Sequence, residues 1–476
     1  MSVRRTFLKQ SGLLGTAAIL HSKYPWMGSS SFPVVRTPAS MRRFSSPAVE
    51  SLISRMVRVI RDPEIAWMFG NCFPNTLDTT VYFTMKKGRA DTFVITGDIH
   101  AMWLRDSSAQ VWPYLPLMKD DPTLQTLIAG VINRQIACIL IDPYANAFNE
   151  GPTGSPWDKD LTVMKPGIHE RKWELDSLCY PIRLAFKYWT LTGDTSPFDQ
   201  SWRDAMALIL NTFIQQQRMK DHGPYRFGRV TSWSTDTVPG DGYGNPIKPV
   251  GLIVSVFRPS DDATIFPFLI PSNLFAVISL RQLAEMSLQI SKDQVFAKSC
   301  LDLAAQVEAA LKIYGMSVHG EFGSMFPYEV DGFGNRLFMD DSNVPSLLAL
   351  PYLQCTREDD PVYLHTRQFI FSRLNPYFFQ GHYAEGSGSP HTLQHMVWPM
   401  SIIIRAMTSR EEAEICNCLR MLKLTHAGTG FMHESFDPDH PAKFTRKWFA
   451  WANTLFGEMI LKIWEERPGL LEKTIF

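Results

Sequence analysis

The side chains of this chain best suited to chemistry are carboxyl groups set among aromatic and apolar neighbours. In Arg258-Pro259-Ser260-Asp261-Asp262, two acids follow the apolar run 250–257. Adjacent residues in an extended or loop segment point to opposite sides, so at most one of Asp261 and Asp262 is expected to face a cavity. A carboxyl group in a partly dry, aromatic pocket favours its neutral form, the state a general acid must hold at neutral pH. A turn or capping aspartate is the plainer reading of the same residues. In Phe431-Met432-His433-Glu434-Ser435-Phe436-Asp437, a glutamate stands amid apolar residues after Gly428-Thr429-Gly430. Acids are seldom buried without a partner or a task, which makes Glu434 a candidate general base. His433 beside it reads as a packed histidine.

The densest polar cluster is Gly97-Asp98-Ile99-His100-Ala101-Met102-Trp103-Leu104-Arg105-Asp106-Ser107-Ser108-Ala109-Gln110, where a helix is expected to begin. On that helix Trp103 and Asp106 are neighbours at i,i+3, and Asp106 and Gln110 at i,i+4. A carboxylate beside a guanidinium can accept from and donate to vicinal hydroxyls. A structural Arg–Asp pair with Asp98 as a helix cap explains the residues equally well. Glu174 and Asp176 in Trp173-Glu174-Leu175-Asp176, and Asn343 after Asp340-Asp341, are further candidates. His391 and His395 have the i,i+4 spacing of zinc-binding histidines on a helix. No HExxH accompanies them, and hydrogen bonding to ligand or backbone is the reading preferred here. The sequence carries no GxSxG elbow, phosphate loop or dinucleotide fingerprint.

The elements that must position these residues are mostly helical. Leu175, Leu178, Cys179, Ile182, Ala185, Phe186 and Trp189 recur at three- and four-residue steps until Gly193-Asp194 breaks the run. Similar patterns cover 48–61, 64–70, 103–118, 122–141, 201–221, 272–290, 293–315, 342–354, 361–372, 395–408, 410–427 and 448–466. Long loops rich in Gly, Pro, Asp and aromatics intervene at 142–172, 222–271, 316–341, 376–394 and 429–447, with room for short β-hairpins, for instance at 326–330. Loops of that length in a compact domain are usually functional. The economical architecture is an all-α fold of six helical hairpins closed into an (α/α)6 toroid, the loops gathered at one mouth. An open solenoid would show a repeat period, and none is present.

Composition narrows the function. Lys plus Arg equals Asp plus Glu at 47 each among 476 residues, so no basic field is available for a nucleic-acid backbone. The seven cysteines are scattered apart from Cys416 and Cys418, and essential disulfides are not expected. Arg4-Arg5-Thr6-Phe7-Leu8-Lys9 precedes an uncharged stretch, 11–20, as in a twin-arginine export signal. The expected organisation is an export signal over 1–30, a Ser- and Pro-rich linker over 31–46, and a single catalytic domain over 47–476. The protein is then periplasmic or extracellular, with no membrane-spanning segment in the mature domain.

Seven ordered runs resemble glycoside hydrolase family 125: GDIHAMWLRDSSAQVWPYLP (97–116), WELDSLCYP (173–181), FRPSDDATIFPFLIPSNLFA (257–276), MDDSNVPSLLALPYL (339–353), SPHTLQHMVWPMS (389–401), HESFD (433–437) and WFAWANTLFGEMI (448–460). The resemblance implies an exo-acting α-1,6-mannosidase that inverts the anomeric carbon, with no metal or cofactor and an α-mannoside oligosaccharide as its partner. It also implies Asp261 as general acid, Glu434 as general base, and Arg105 and Asp106 as holders of the terminal mannose. Asp98, His100, Trp103, Glu174, Asp176, Asn343 and His391 are then expected to line the sugar pocket. An inverting pair must leave room for a water, so carboxyl groups roughly 6.5–9.5 Å apart are expected. The rival readings are another toroidal carbohydrate enzyme, a glucosidase or a lyase, and a non-catalytic sugar-binding protein of the envelope.

Overall fold

The computed structural model describes residues 32–475, so the expected export signal lies outside the described residues. Residues 32–46 lie against the helices: Arg36 bridges Asp78 and Glu50, and Phe32 stacks on Trp67. The helices are α1 (Pro47–Val59), α2 (Pro63–Cys72), α3 (Asn75–Thr79), α4 (Leu104–Val111), α5 (Pro122–Ile141), α6 (Leu175–Thr192), α7 (Gln200–Gln216), α8 (Ile270–Met286), α9 (Gln294–Tyr314), α10 (Pro361–Ile370), α11 (Pro399–Met407), α12 (Glu412–Thr425) and α13 (Ala450–Glu466). Several starts follow directly from the sequence. Asp62, Asp121, Asp293 and Asp360 cap their helices through side-chain oxygens, three of them just before a proline that needs no donor there.

Helix α4 packs on α6 and α6 on α8, while α11 packs on α13 and α13 returns to α4. An outer layer forms where α5 meets α7, α9 meets α8, and α12 meets α11. This helix-rich ring fits an α/α toroid. The inner helices carry almost no exposed face: all eight residues of α4 are buried, including Arg105, Asp106 and Gln110. Helix α5 is long and apolar enough, by length and composition, to cross a membrane, against the expectation of no such segment. Here it packs against α7 and the hairpin described next, and 61% of its apolar window is buried.

Three expectations are corrected. Residues 342–354 form turns instead of a helix. Pro345 and Pro351 lack amide hydrogens, and the Asp340 carboxylate captures the amides of Leu347 (2.8 Å) and Leu348 (3.1 Å), although the apolar residues still face the core. The helix expected over 395–408 begins only at Pro399. The helix expected over 103–118 gives way to 3-10 geometry after Val111, where Pro113 and Pro116 remove donors. Residues 81–94, left unassigned in the sequence, form a hairpin of β1 (Val81–Lys86) and β2 (Arg89–Val94), turned by Lys87 and Gly88 at positive φ.

The long loops do hold short strands. β3 (Met102–Trp103), β4 (Ala147–Phe148) and β5 (Ile168–Glu170) form one small sheet, and β6 (Phe268–Leu269) belongs to another. β7 (Ser317–His319) pairs with β8 (Gly323–Met325). β9 (Glu329–Val330) joins β6 to β10 (Arg336–Leu337). β11 (Phe378–Gln380) pairs with β12 (Glu385–Ser387), and β13 (Ser435–Phe436) with β14 (Phe444–Thr445).

Candidate active site

Asp261 and Glu434, 173 positions apart in sequence, are each held in place by the hydrogen bonds of their own loop and its neighbours. The loop carrying Asp261 is tight: Asp261 N–H donates to the Arg258 carbonyl at 2.9 Å, and Arg258 N–H to the Asp262 carbonyl at 2.8 Å. Asp261 adopts φ +69°, a left-handed conformation that few residues other than Gly, Asn and Asp accept. As expected for neighbours facing opposite ways, Asp262 is fully buried and Asp261 partly open. Thr235 Oγ1 donates to Asp262 Oδ1 at 2.5 Å, and His391 Nδ1 lies 3.7 Å from Asp262 Oδ2. Asn343 Nδ2 donates to the Pro259 carbonyl at 2.9 Å, and Ser260 and Ser389 both donate to Asp341 Oδ2. Asn343 and His391 therefore act on the loop that presents Asp261.

The loop joins the sheet at the start of α4 through Asn146, whose Nδ2 donates to Asp261 Oδ1 (3.2 Å) and Glu170 Oε2 (3.3 Å). The main chain of Asn146 accepts from Leu104 N–H at 3.1 Å, the first residue of α4. Trp103, buried in β3, meets His169 edge-on. Two residues further, Arg105 is buried among acids, with NH1 donating to Glu174 Oε2 (2.6 Å) and Asp176 Oδ2 (3.1 Å) and Nε 3.5 Å from Asp106 Oδ2. Arg105 is thus anchored from α6 before any ligand arrives. Burial raises the pKa of both Glu174 and Asp176, against the pull of Arg105.

Glu434 precedes β13 and is almost wholly buried. Its Oε2 accepts from Thr445 Oγ1 at 2.9 Å and its Oε1 lies 3.4 Å from Arg446 NH1. Arg446 also donates to Asp98 Oδ1 through Nε (2.9 Å) and NH2 (2.5 Å). Asp98 is set by backbone pairing beside α13: its N–H donates to the Trp448 carbonyl at 3.3 Å, and Gly97 bridges Phe449. Burial raises the Glu434 pKa; Arg446 and Thr445 oppose it, and Asp98 adds to it. His433 stacks on Phe444, and burial lowers it to about 4, so it is the neutral packed histidine expected from sequence.

Asp106 follows Arg105 on α4 and is buried with it. Burial pushes its pKa up to about 6; Arg105 and Arg446 pull it down while the charge of Asp261 pushes it up. His100 stands apart, half exposed, against Tyr82 and Phe93 with Nε2 3.2 Å from Glu150. His391 and His395 do not share a helix face, because residues 391–395 are irregular and His395 has φ +62°. His395 meets Asp439 at 2.9 Å instead. With Asp437 these two form a partly exposed group whose ligand atoms lie within 4.8 Å, the arrangement among the described residues closest to metal-ligating geometry. Turn hydrogen bonds already engage it: Asp437 caps Asp439 and His440, and Asp439 accepts from His382 N–H.

Arg446, Asn146 and Lys172 were not singled out from the sequence. Thr445-Arg446-Lys447 does sit immediately before the WFAWAN run, and this adjacency is the one signal that was available.

The family model described as metal-independent alpha-mannosidase (GH125) matches residues 62–461. The Meiotically up-regulated gene 157 protein of Schizosaccharomyces pombe is 41% identical, covering 94% of this chain and 92% of its own. A metal-independent alpha mannosidase from Streptococcus pneumoniae, solved in a non-productive complex with α-1,6-mannobiose, superposes with a TM-score of 0.85 at 41% identity, over 89% of this chain and 100% of that one. The glucoamylase of Saccharomycopsis fibuligera shares the fold alone, with a TM-score of 0.51 at 11% identity over 89% of this chain and 97% of its own.

Proposed function

This chain belongs to the metal-independent alpha-mannosidases of family GH125, and from that premise we propose that it is an exo-acting α-1,6-mannosidase that inverts the anomeric carbon. It is a glycoside hydrolase of the alpha-mannosidase kind; linkage, stereochemistry and residue roles are the parts proposed. The observation that carries the reading is the likeness to the Streptococcus pneumoniae relative solved with α-1,6-mannobiose, with Glu434 buried here against Arg446.

Asp261 donates its proton to the glycosidic oxygen as the bond to the anomeric carbon breaks. Glu434, ionised, takes a proton from water attacking the opposite face, with carboxyl groups roughly 6.5–9.5 Å apart. Arg446 favours the ionised Glu434 against burial, as a base requires. Asp106 receives hydroxyls of the terminal mannose while Arg105, anchored by Glu174 and Asp176, fixes Asp106 from behind. Trp103 lines that end, and Asp98 acts through Arg446. His100 belongs to the rim. The α-1,6 linkage rests on the Streptococcus pneumoniae relative, which was solved with that disaccharide. No metal takes part in the proposed reaction.

The same reading counts six hairpins in the ring, with the turns of 342–354 standing in the place of one inner helix. It also makes residues 1–30 a twin-arginine signal, testable by fusing them to a reporter and following its export.

Incubation with α-1,6-, α-1,3- and α-1,2-mannobiose and with maltose, followed by mass spectrometry, tests the substrate. Free mannose from the α-1,6 disaccharide is expected. Cleavage of maltose instead, or binding without turnover, would overturn it.

A further inference from the structure

Beneath the loop of Asp261 lies a buried ionic cluster that the reaction itself does not use. Lys172 is fully buried, and its Nζ donates to the main-chain carbonyl of Asp261 at 2.8 Å and to Asp236 Oδ1 at 2.9 Å. Its ammonium also stands 5.1 Å from the Phe257 ring centroid and 3.4 Å from Glu170 Oε1. Arg229 ties the same acids from the far side, at 3.0 Å from both Asp236 and Glu170 and 2.6 Å from Asp160. A cation taken wholly out of water is tolerated only when paired and hydrogen-bonded. One of the bonds of Lys172 goes to a main-chain oxygen, and that oxygen belongs to the residue with the left-handed φ.

The main chain of Lys172 acts on the same carboxyl by a second route. Its N–H donates to Asn146 Oδ1 at 3.1 Å. This fixes which way the amide faces, so that Asn146 Nδ2 is aimed at Asp261 Oδ1 and Glu170 Oε2. Backbone and side chain of one residue thus converge on the carbonyl and the carboxylate of Asp261. A left-handed aspartate persists only where its surroundings over-determine it, and a small misplacement of a proton donor costs rate steeply.

We propose that Lys172 is the positioning residue of Asp261, holding the left-handed turn so that the carboxyl group meets the leaving-group oxygen. The inference rests on the role assigned to Asp261 above, and the choice of substrates separates the two. An α-1,6-mannobiose needs a proton on its departing oxygen. An α-mannosyl fluoride releases fluoride with little help from an acid, yet needs the same base, water and mannose site. The wild-type protein is assayed on both first; failure to release mannose from the disaccharide refutes the functional reading and leaves Lys172 out of it.

With wild-type turnover in hand, Lys172→Met is expected to lower kcat on the disaccharide about 10²-fold, the low end of what proton transfer contributes. Its KM should stay near wild type, and fluoride hydrolysis should remain within about threefold, since that step bypasses general-acid help. Asp261→Asn should show the same preference, more strongly. The double variant Lys172→Met/Asp236→Asn removes both members of the ion pair, so that no charge is stranded, and decides the matter if the single variant does not fold. Equal losses on the two substrates, or no loss on the disaccharide, would overturn the role.

Discussion

Replacing Arg446 with methionine tests how the proposed base is kept ready. Glu434 is buried, and burial alone favours its protonated form; Arg446 NH1, 3.4 Å from Oε1, supplies the main opposing charge. The same arginine neutralises Asp98 through two hydrogen bonds, so its loss also frees a negative charge beside Glu434. Both changes push the Glu434 pKa up. A base works only when ionised, so the acidic limb of the kcat profile must move to higher pH while the alkaline limb stays. A hydrogen bond to a charged group contributes ~1.5–3 kcal/mol. At 3.4 Å, with the arginine side chain 19% exposed, the lower end applies, and ~1.4 kcal/mol is a factor of ten. Turnover of α-1,6-mannobiose should therefore fall about tenfold more at pH about 5 than at pH about 8, with Arg446→Lys in between. A loss equal at every pH, or largest on the alkaline side, would refute the argument.

Asp261→Asn and Glu434→Gln should each cut kcat by about 10²–10⁴-fold while calorimetric binding of mannobiose persists. Gly97→Ala should lower the melting temperature by several degrees and weaken activity, at a cost of about 2–4 kcal/mol. Its added Cβ would lie 2.4 Å from the Trp448 carbonyl, at φ +128°, next to Asp98. Burial raises Glu458 to about 7 despite Arg183. The folded state therefore holds a proton the unfolded chain releases, and stability falls as pH rises from the usual glutamate range through 7; Glu458→Gln should flatten that slope in melting scans. Dialysis against EDTA should leave turnover unchanged, and an activity that disappears with the chelator and returns with a divalent ion would contradict the metal-free mechanism.

The helices were legible wherever apolar spacing agreed with capping, as at Asp121-Pro122 and Asp360-Pro361. Residues 342–354 misled because their apolar spacing is helical, while Asp340 and two prolines divert the backbone. The acids of the candidate site stood out because carboxyl groups amid apolar residues are conspicuous. Their partners were not: Arg446 meets Asp98 across 348 positions, and Lys172 meets Asp261 across 89. Such pairs leave no local pattern, since each residue alone resembles an ordinary surface charge. His100, a member of the densest cluster, meets Glu150 across 50 positions, a partner its local spacing does not announce. His395 kept its spacing from His391 but lost the helix that would have given the spacing meaning.

The stereochemistry of the first product reaches the central claim most directly. Proton NMR of α-1,6-mannobiose hydrolysis, read before mutarotation, should show β-mannose appearing first, because water activated by Glu434 attacks the face opposite the departing oxygen held by Asp261. Initial formation of α-mannose would mean retention and a nucleophilic carboxylate, and would contradict the assignment of both residues.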